Sequence, residues 1–116
     1  MVLNRPLIVG LTGSVAMGKT ETAQMFRRLR VPVFDADAEV HRILASGGKA
    51  VQLVSAAFPG VLKGDEIDRK ALGERVFSSR SDLNVLERII HPLVKEARRK
   101  FLRRAGVRRV TLVVMD

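Results

Sequence analysis

The sequence contains no cysteine, no tyrosine and no tryptophan, and only 5 phenylalanines among its 116 residues. The absence of cysteine excludes disulfides, thiolate metal sites and a cysteine nucleophile. The shortage of aromatic rings leaves few platforms on which nucleic-acid bases would stack. Acidic residues are also sparse: 12 Asp and Glu stand against 21 Lys and Arg, for a net charge of +9. That balance favours anionic partners such as phosphates, nucleotides, nucleic acid or an acidic membrane face. No apolar run approaches the ~20 residues of a membrane span. Gly10 and Gly13 interrupt the apolar run near the N-terminus, and no small-residue cleavage site follows, so a signal peptide is not expected. The reading is a soluble, cytoplasmic protein with no membrane partner. Hydrophobic residues make up 47% and charged residues 28%, which suits one ordinary globular core and not a disordered chain.

Leu7 to Leu11 is almost wholly apolar and reads as a strand buried on both faces. A helix is predicted from about Lys19 to Leu29, with Ala23, Phe26 and Leu29 at helical spacing. Val31 to Phe34 reads as a second strand. Helices follow over Ala38–Leu44, Lys49–Phe58 and Arg69–Phe77, with Val61–Ile67 expected as a loop. Ser81 is the expected N-cap of a long helix, and Pro92 within it predicts a kink or two abutting helices. Val110 to Met115 reads as a third strand. The order β-α-β, several helices, then β implies an α/β fold with a parallel sheet covered by helices.

Gly13-Ser14-Val15-Ala16-Met17-Gly18-Lys19-Thr20 fits the pattern G-x-x-x-x-G-K-[ST], between a predicted strand and a predicted helix. Glycines let the backbone wrap closely around phosphate oxygens with N–H groups inward. The following helix offers its positive end to the anion. Lys19 is expected to reach the β- and γ-phosphates, and the Thr20 hydroxyl to ligate Mg²⁺. The pattern points to a nucleoside triphosphate with Mg²⁺.

Asp35 and Asp37 fall where the second strand ends, beyond the carboxyl end where open parallel sheets bind ligands. One carboxylate beside a substrate hydroxyl can accept its proton or hold it in line with the γ-phosphate. Asp37 serves equally well as the N-cap of a helix starting at Ala38, and spacing alone leaves both roles open. His41 lies four residues after Asp37, so it either hydrogen-bonds to Asp37 or faces solvent. His91 precedes Pro92, and neither histidine has a partner at metal-ligand spacing. Residues 88–109 carry nine Lys or Arg and one acid, Glu96. With so few aromatics, this stretch reads as the solvated face of an amphipathic helix and not as a nucleic-acid surface.

The run Ile8 to Gly13 leading into the phosphate motif, then Val31 to Asp37 with His41, resembles the dephospho-coenzyme A kinase family. Ile67 to Leu72, Val76-Phe77, Ile89 to Leu93 and Val113 to Asp116 are similar to that family's later segments, in the same order. The resemblance implies a P-loop kinase core of five parallel strands, of which three are present, with a substrate-side helical insertion at about 38–105 in a single domain. It implies ATP-dependent phosphorylation of the ribose 3′-hydroxyl of dephospho-coenzyme A. Val15 to Thr20 would then bind ATP, Lys19 and Asp37 would be catalytic, and Asp35, Asp37 and His41 would face the substrate. The alternatives are another small-metabolite or nucleoside kinase, or a non-catalytic nucleotide-binding fragment.

Met17, Glu21 and Arg30 depart from the family pattern, Arg30 standing where a glycine is common. The later strands and the lid arginines have no counterpart up to Asp116, so a truncated form is expected. The strand Leu7–Leu11 would then leave one side unpaired, without charge, proline or bulge to block it, which favours self-association through that edge.

Overall fold

The computed structural model describes residues 7–10 and 19–115, with the backbone alone for Val9, Lys19, Thr20 and Glu21. Two compact units emerge: residues 1–36 with 97–116, and residues 37–96.

The first unit is built on a parallel sheet of β1 (Leu7–Gly10), β2 (Val33–Phe34) and β5 (Leu112–Met115), in the order β1-β5-β2. Leu7 pairs with Leu112 and Gly10 with Met115; on the other side Val33 pairs with Val114 and Phe34 with Met115. The central strand β5 is the one that is enclosed, with Val113 and Val114 completely buried. The strand expected to be buried on both faces, Leu7–Leu11, is not: among the described strands β1 stands at the sheet edge, and Leu7 and Ile8 are exposed. Between β1 and β2 lies α1 (Lys19–Arg28), which buries Ala23. The Phe34 ring meets the Phe101 ring with centroids 5.5 Å apart and planes tilted by 49°, a favourable aromatic geometry.

α1 and α5 (Arg80–Val107) end in the same way. Val31 N–H donates to the Phe26 carbonyl and Arg30 N–H to the Arg27 carbonyl; Val110 N–H donates to Ala105 and Arg109 N–H to Gly106. This paired pattern closes a helix through one left-handed residue. Here those residues are Arg30 (φ 62°) and Arg109 (φ 58°), where glycine carries no Cβ strain.

The second unit packs α2 (Ala36–Leu44, from Asp37 on), α3 (Val51–Ala57), α4 (Arg69–Phe77) and the first part of α5 around Phe58, Ile43 and Val54. These side chains are all but fully buried, and each contributes about 1.5–3 kcal/mol of transfer free energy. Gly48 passes so close to the Ile43 carbonyl that a Cβ would sit 2.1 Å from the oxygen. That same oxygen accepts from Ala50 N–H at 3.0 Å, so only glycine fits there.

Several sequence expectations need correction. Residues 61–67 are not a plain loop: β3 (Leu62–Lys63) and β4 (Glu66–Ile67) form a small antiparallel hairpin. Its Gly64-Asp65 turn is tied down by the Ser46 hydroxyl, which donates to Asp65 Oδ2 at 2.5 Å. The long helix starts at Arg80, and its cap is Ser79, whose Oγ accepts from Asp82 N–H at 3.3 Å. Ser81 is inside the first turn. Pro92 does not divide the helix, which is continuous over 28 residues. Proline withdraws one N–H there, but Ile89, Ile90, Leu93 and Val94 on both sides of it are held against one core.

Replacing both left-handed arginines tests the two helix ends. Each of Arg30→Gly and Arg109→Gly is expected to stabilise by about 0.5–1 kcal/mol. The pair should raise Tm by about 5 °C in a thermal melt followed by circular dichroism.

Candidate nucleotide site

In a parallel sheet every strand points the same way, so the carboxyl ends of β1, β2 and β5 lie together. β1 ends at Gly10, and α1 begins at Lys19. The strand and helix that should bracket the phosphate motif are therefore both in place. Gly13, Ser14, Val15, Ala16, Met17 and Gly18 lie outside the described residues. Lys19 and Thr20 open α1, where the first N–H groups of a helix have no partner within it and favour an anion.

Asp35 immediately follows β2, at the same end of the sheet as Gly10, and is half-buried. Asp37 is exposed and stands inside the first turn of α2, which begins at Ala36 and not at Ala38. The N-cap position thus falls to Asp35, and Asp37 is left without that role. As an acid in the first turn it still suits the helix dipole. His41 is exposed one turn further along α2, facing solvent.

On the same helix Arg42 Nε donates to Glu39 Oε2 at 3.0 Å, and Arg42 Nη2 to Glu39 Oε1. The hydrogen bond, then the opposite charge, raise the Arg42 pKa above its ordinary value. Arg42 is largely exposed, so the pair orients α2 side chains and adds little stability.

Other motif residues serve the fold. Asp68 caps α4, its Oδ1 accepting from Lys70 N–H at 3.1 Å and Ala71 N–H at 3.2 Å. Ile67 beside it is buried. Arg75 donates to the Pro59 carbonyl at 2.9 Å and lies over the Phe58 ring. His91 and Pro92 are exposed, and Leu93 packs on the core. Among the described residues no three His, Asp or Glu side chains gather as a metal site, and no helix is long and apolar enough to cross a membrane.

A parallel α/β sheet whose first strand leads through a phosphate-loop sequence into the first helix defines the P-loop class. The comparisons narrow this class. A family model described as dephospho-CoA kinase matches residues 7–116, and the chain belongs to that family. It is 56% identical over 109 residues to a dephospho-CoA kinase of Paramagnetospirillum magneticum, covering 94% of this chain and 51% of that protein. It is 53% identical over 111 residues to one of Rhodospirillum rubrum, covering 95% and 53%. Among solved structures, TT1252 from Thermus thermophilus superposes with a TM-score of 0.84 at 31% identity, covering 97% of this chain and 56% of that one. The dephospho-CoA kinase from Campylobacter jejuni gives 0.71 at 25% identity, covering 94% and 57%. The chain spans about half the length of the relatives it matches.

Because Asp37 is exposed and is not the cap, Asp37→Asn should change stability by less than about 0.5 kcal/mol. Urea unfolding checks this, and a larger loss would return Asp37 to a structural role.

Proposed function

We propose that this chain is the phosphate-binding part of a cytoplasmic dephospho-CoA kinase, which transfers the γ-phosphoryl group of ATP to the ribose 3′-hydroxyl of dephospho-coenzyme A. The observation that carries this reading is the strand β1, the phosphate motif and helix α1 in one continuous order, in a chain that belongs to the family.

In this reading the backbone N–H groups of Gly13 to Gly18 and the start of α1 hold the β- and γ-phosphates. The Lys19 ammonium neutralises charge on the transferring group, which is what phosphoryl transfer demands of the protein. The Thr20 hydroxyl would hold magnesium, which would offset charge on the phosphates. Asp37 is the base that takes the proton of the attacking hydroxyl. Asp35, half-buried at the end of β2, orients that hydroxyl, and His41 lies on the substrate side of α2. The substrate-side insertion runs over about residues 38–105.

Two variants separate these roles. Lys19→Ala should weaken ATP binding at least tenfold by calorimetry, with the thermal melt unchanged; unchanged affinity would sink the phosphate-loop assignment. Asp37→Asn, in a form of the enzyme active in an ADP-release assay, should lower kcat at least a hundredfold while ATP affinity holds. Equal turnover would remove Asp37 as the base.

The reading also covers self-association. Among the described strands β1 pairs only with β5, and Leu7 and Ile8 are 68% and 51% exposed. An apolar strand edge of this kind is a template for another chain. Sedimentation at micromolar concentration should show dimers or larger species, and Ile8→Lys should return them to monomers.

A further inference from the structure

The net charge of +9 is not spread over the chain. Residues 1–36 with 97–116 hold 12 Lys and Arg against three acids, whereas residues 37–96 hold nine of each. Within the first unit the charge is divided again, along the strand direction. Glu21 stands in the first turn of α1, Asp35 follows β2, and Asp116 follows β5 in the sequence. Glu21 and Asp35 therefore belong to the end at which the strands finish.

The opposite end takes the arginines. α1 delivers Arg27, Arg28 and Arg30 just before β2 begins. α5 delivers Arg103, Arg104, Arg108 and Arg109 just before β5 begins. β2 and β5 are parallel neighbours, so the two groups share one end of the sheet. All seven arginines are exposed, and among the described residues none is held in an ion pair. Arg103, Arg104 and Arg108 line a shallow concavity with Val107. The basic stretch 88–109, read alone, is one helix with a solvated face; the fold adds a second basic group from a distant part of the chain.

The backbone supplies an independent observation. Among the described residues only two that are not glycine adopt positive φ, and they are Arg30 and Arg109, both at this end. Keeping a long cation where glycine would be unstrained points to a use for the side chain. The seven cations of these two groups are all arginine, and the guanidinium fork binds phosphate in a bidentate way. The rings of the unit do not suit base stacking: Phe34 is buried, and Phe26 and Phe101 are half-buried. Leu29 and Val107 are exposed but stand singly between arginines, unlike the continuous apolar face of a membrane-surface helix.

We propose that the end of the sheet where β2 and β5 begin is a docking surface for the phosphodiester backbone of duplex nucleic acid, recognised by charge and not by sequence. It lies at the other end of the strands from Gly10 and the start of α1, which bracket the nucleotide motif in the sequence.

The test is fluorescence anisotropy with a labelled 20-base-pair DNA duplex of arbitrary sequence, titrated in buffers from 50 to 200 mM salt. Binding in the micromolar range at 100 mM salt is expected, about equal for unrelated sequences, with the logarithm of affinity falling by about 0.9 per phosphate contact for each tenfold rise in salt. Arg30→Gly/Arg109→Gly should reduce that slope by about 2 and weaken binding at least tenfold, while the thermal melt does not fall. Lys19→Ala should leave duplex affinity unchanged, which separates this surface from the nucleotide motif. A dissociation constant above about 100 µM at 100 mM salt would overturn the proposal. So would unchanged binding by the double variant, loss of binding in Lys19→Ala, or binding to phosphatidylglycerol vesicles in place of the duplex.

Discussion

The pairing of β5 with strands on both of its sides is what the first unit depends on. Among the described strands β1 and β2 are not paired with each other; each pairs with residues 112–115. Val113 and Val114 are completely buried within this arrangement. The strand that organises the nucleotide end therefore comes from the far end of the chain, more than 70 residues after β2. Such a long-range pairing must be closed before the carboxyl ends of β1 and β2 have fixed positions. The site end is thus a product of tertiary structure, although its motif is local in sequence.

The intervening residues solve a different problem. Residues 37–96 enclose their own apolar cluster around Phe58, Ile43 and Val54, and their charges balance. Their caps are short-range devices: Asp68 for α4 and Ser79 for α5. Each cap satisfies orphan N–H groups and is worth about 1 kcal/mol.

Much of this was legible because the signals are periodic. The three strands and the helix Arg69–Phe77 follow from apolar runs and helical spacing. The errors lie where the deciding interaction is not periodic. The hairpin at 62–67 has only two residues per strand, too few to alternate, and its one signal was the Gly64-Asp65 pair. Ser79 and Ser81 are chemically equivalent caps in sequence, and only the chain geometry selects between them. Pro92 carries a real local penalty, but apolar residues before and after it pack on a common core, and packing overrides propensity. For the candidate site, Asp35 and Asp37 were identifiable as a pair, but their difference in burial required the true start of α2 at Ala36.

The two left-handed arginines also have a consequence at the level of the gene. Arginine and glycine codons differ by a single base in most cases, so each helix end is one point mutation from a relaxed version of itself. A library of random single-base changes, grown under heat selection alone, would find these two replacements early. The same library selected for whatever the arginines hold would discard them. The helix ends at Arg30 and Arg109 are therefore places where selection for persistence and selection for use pull the same codon in opposite directions.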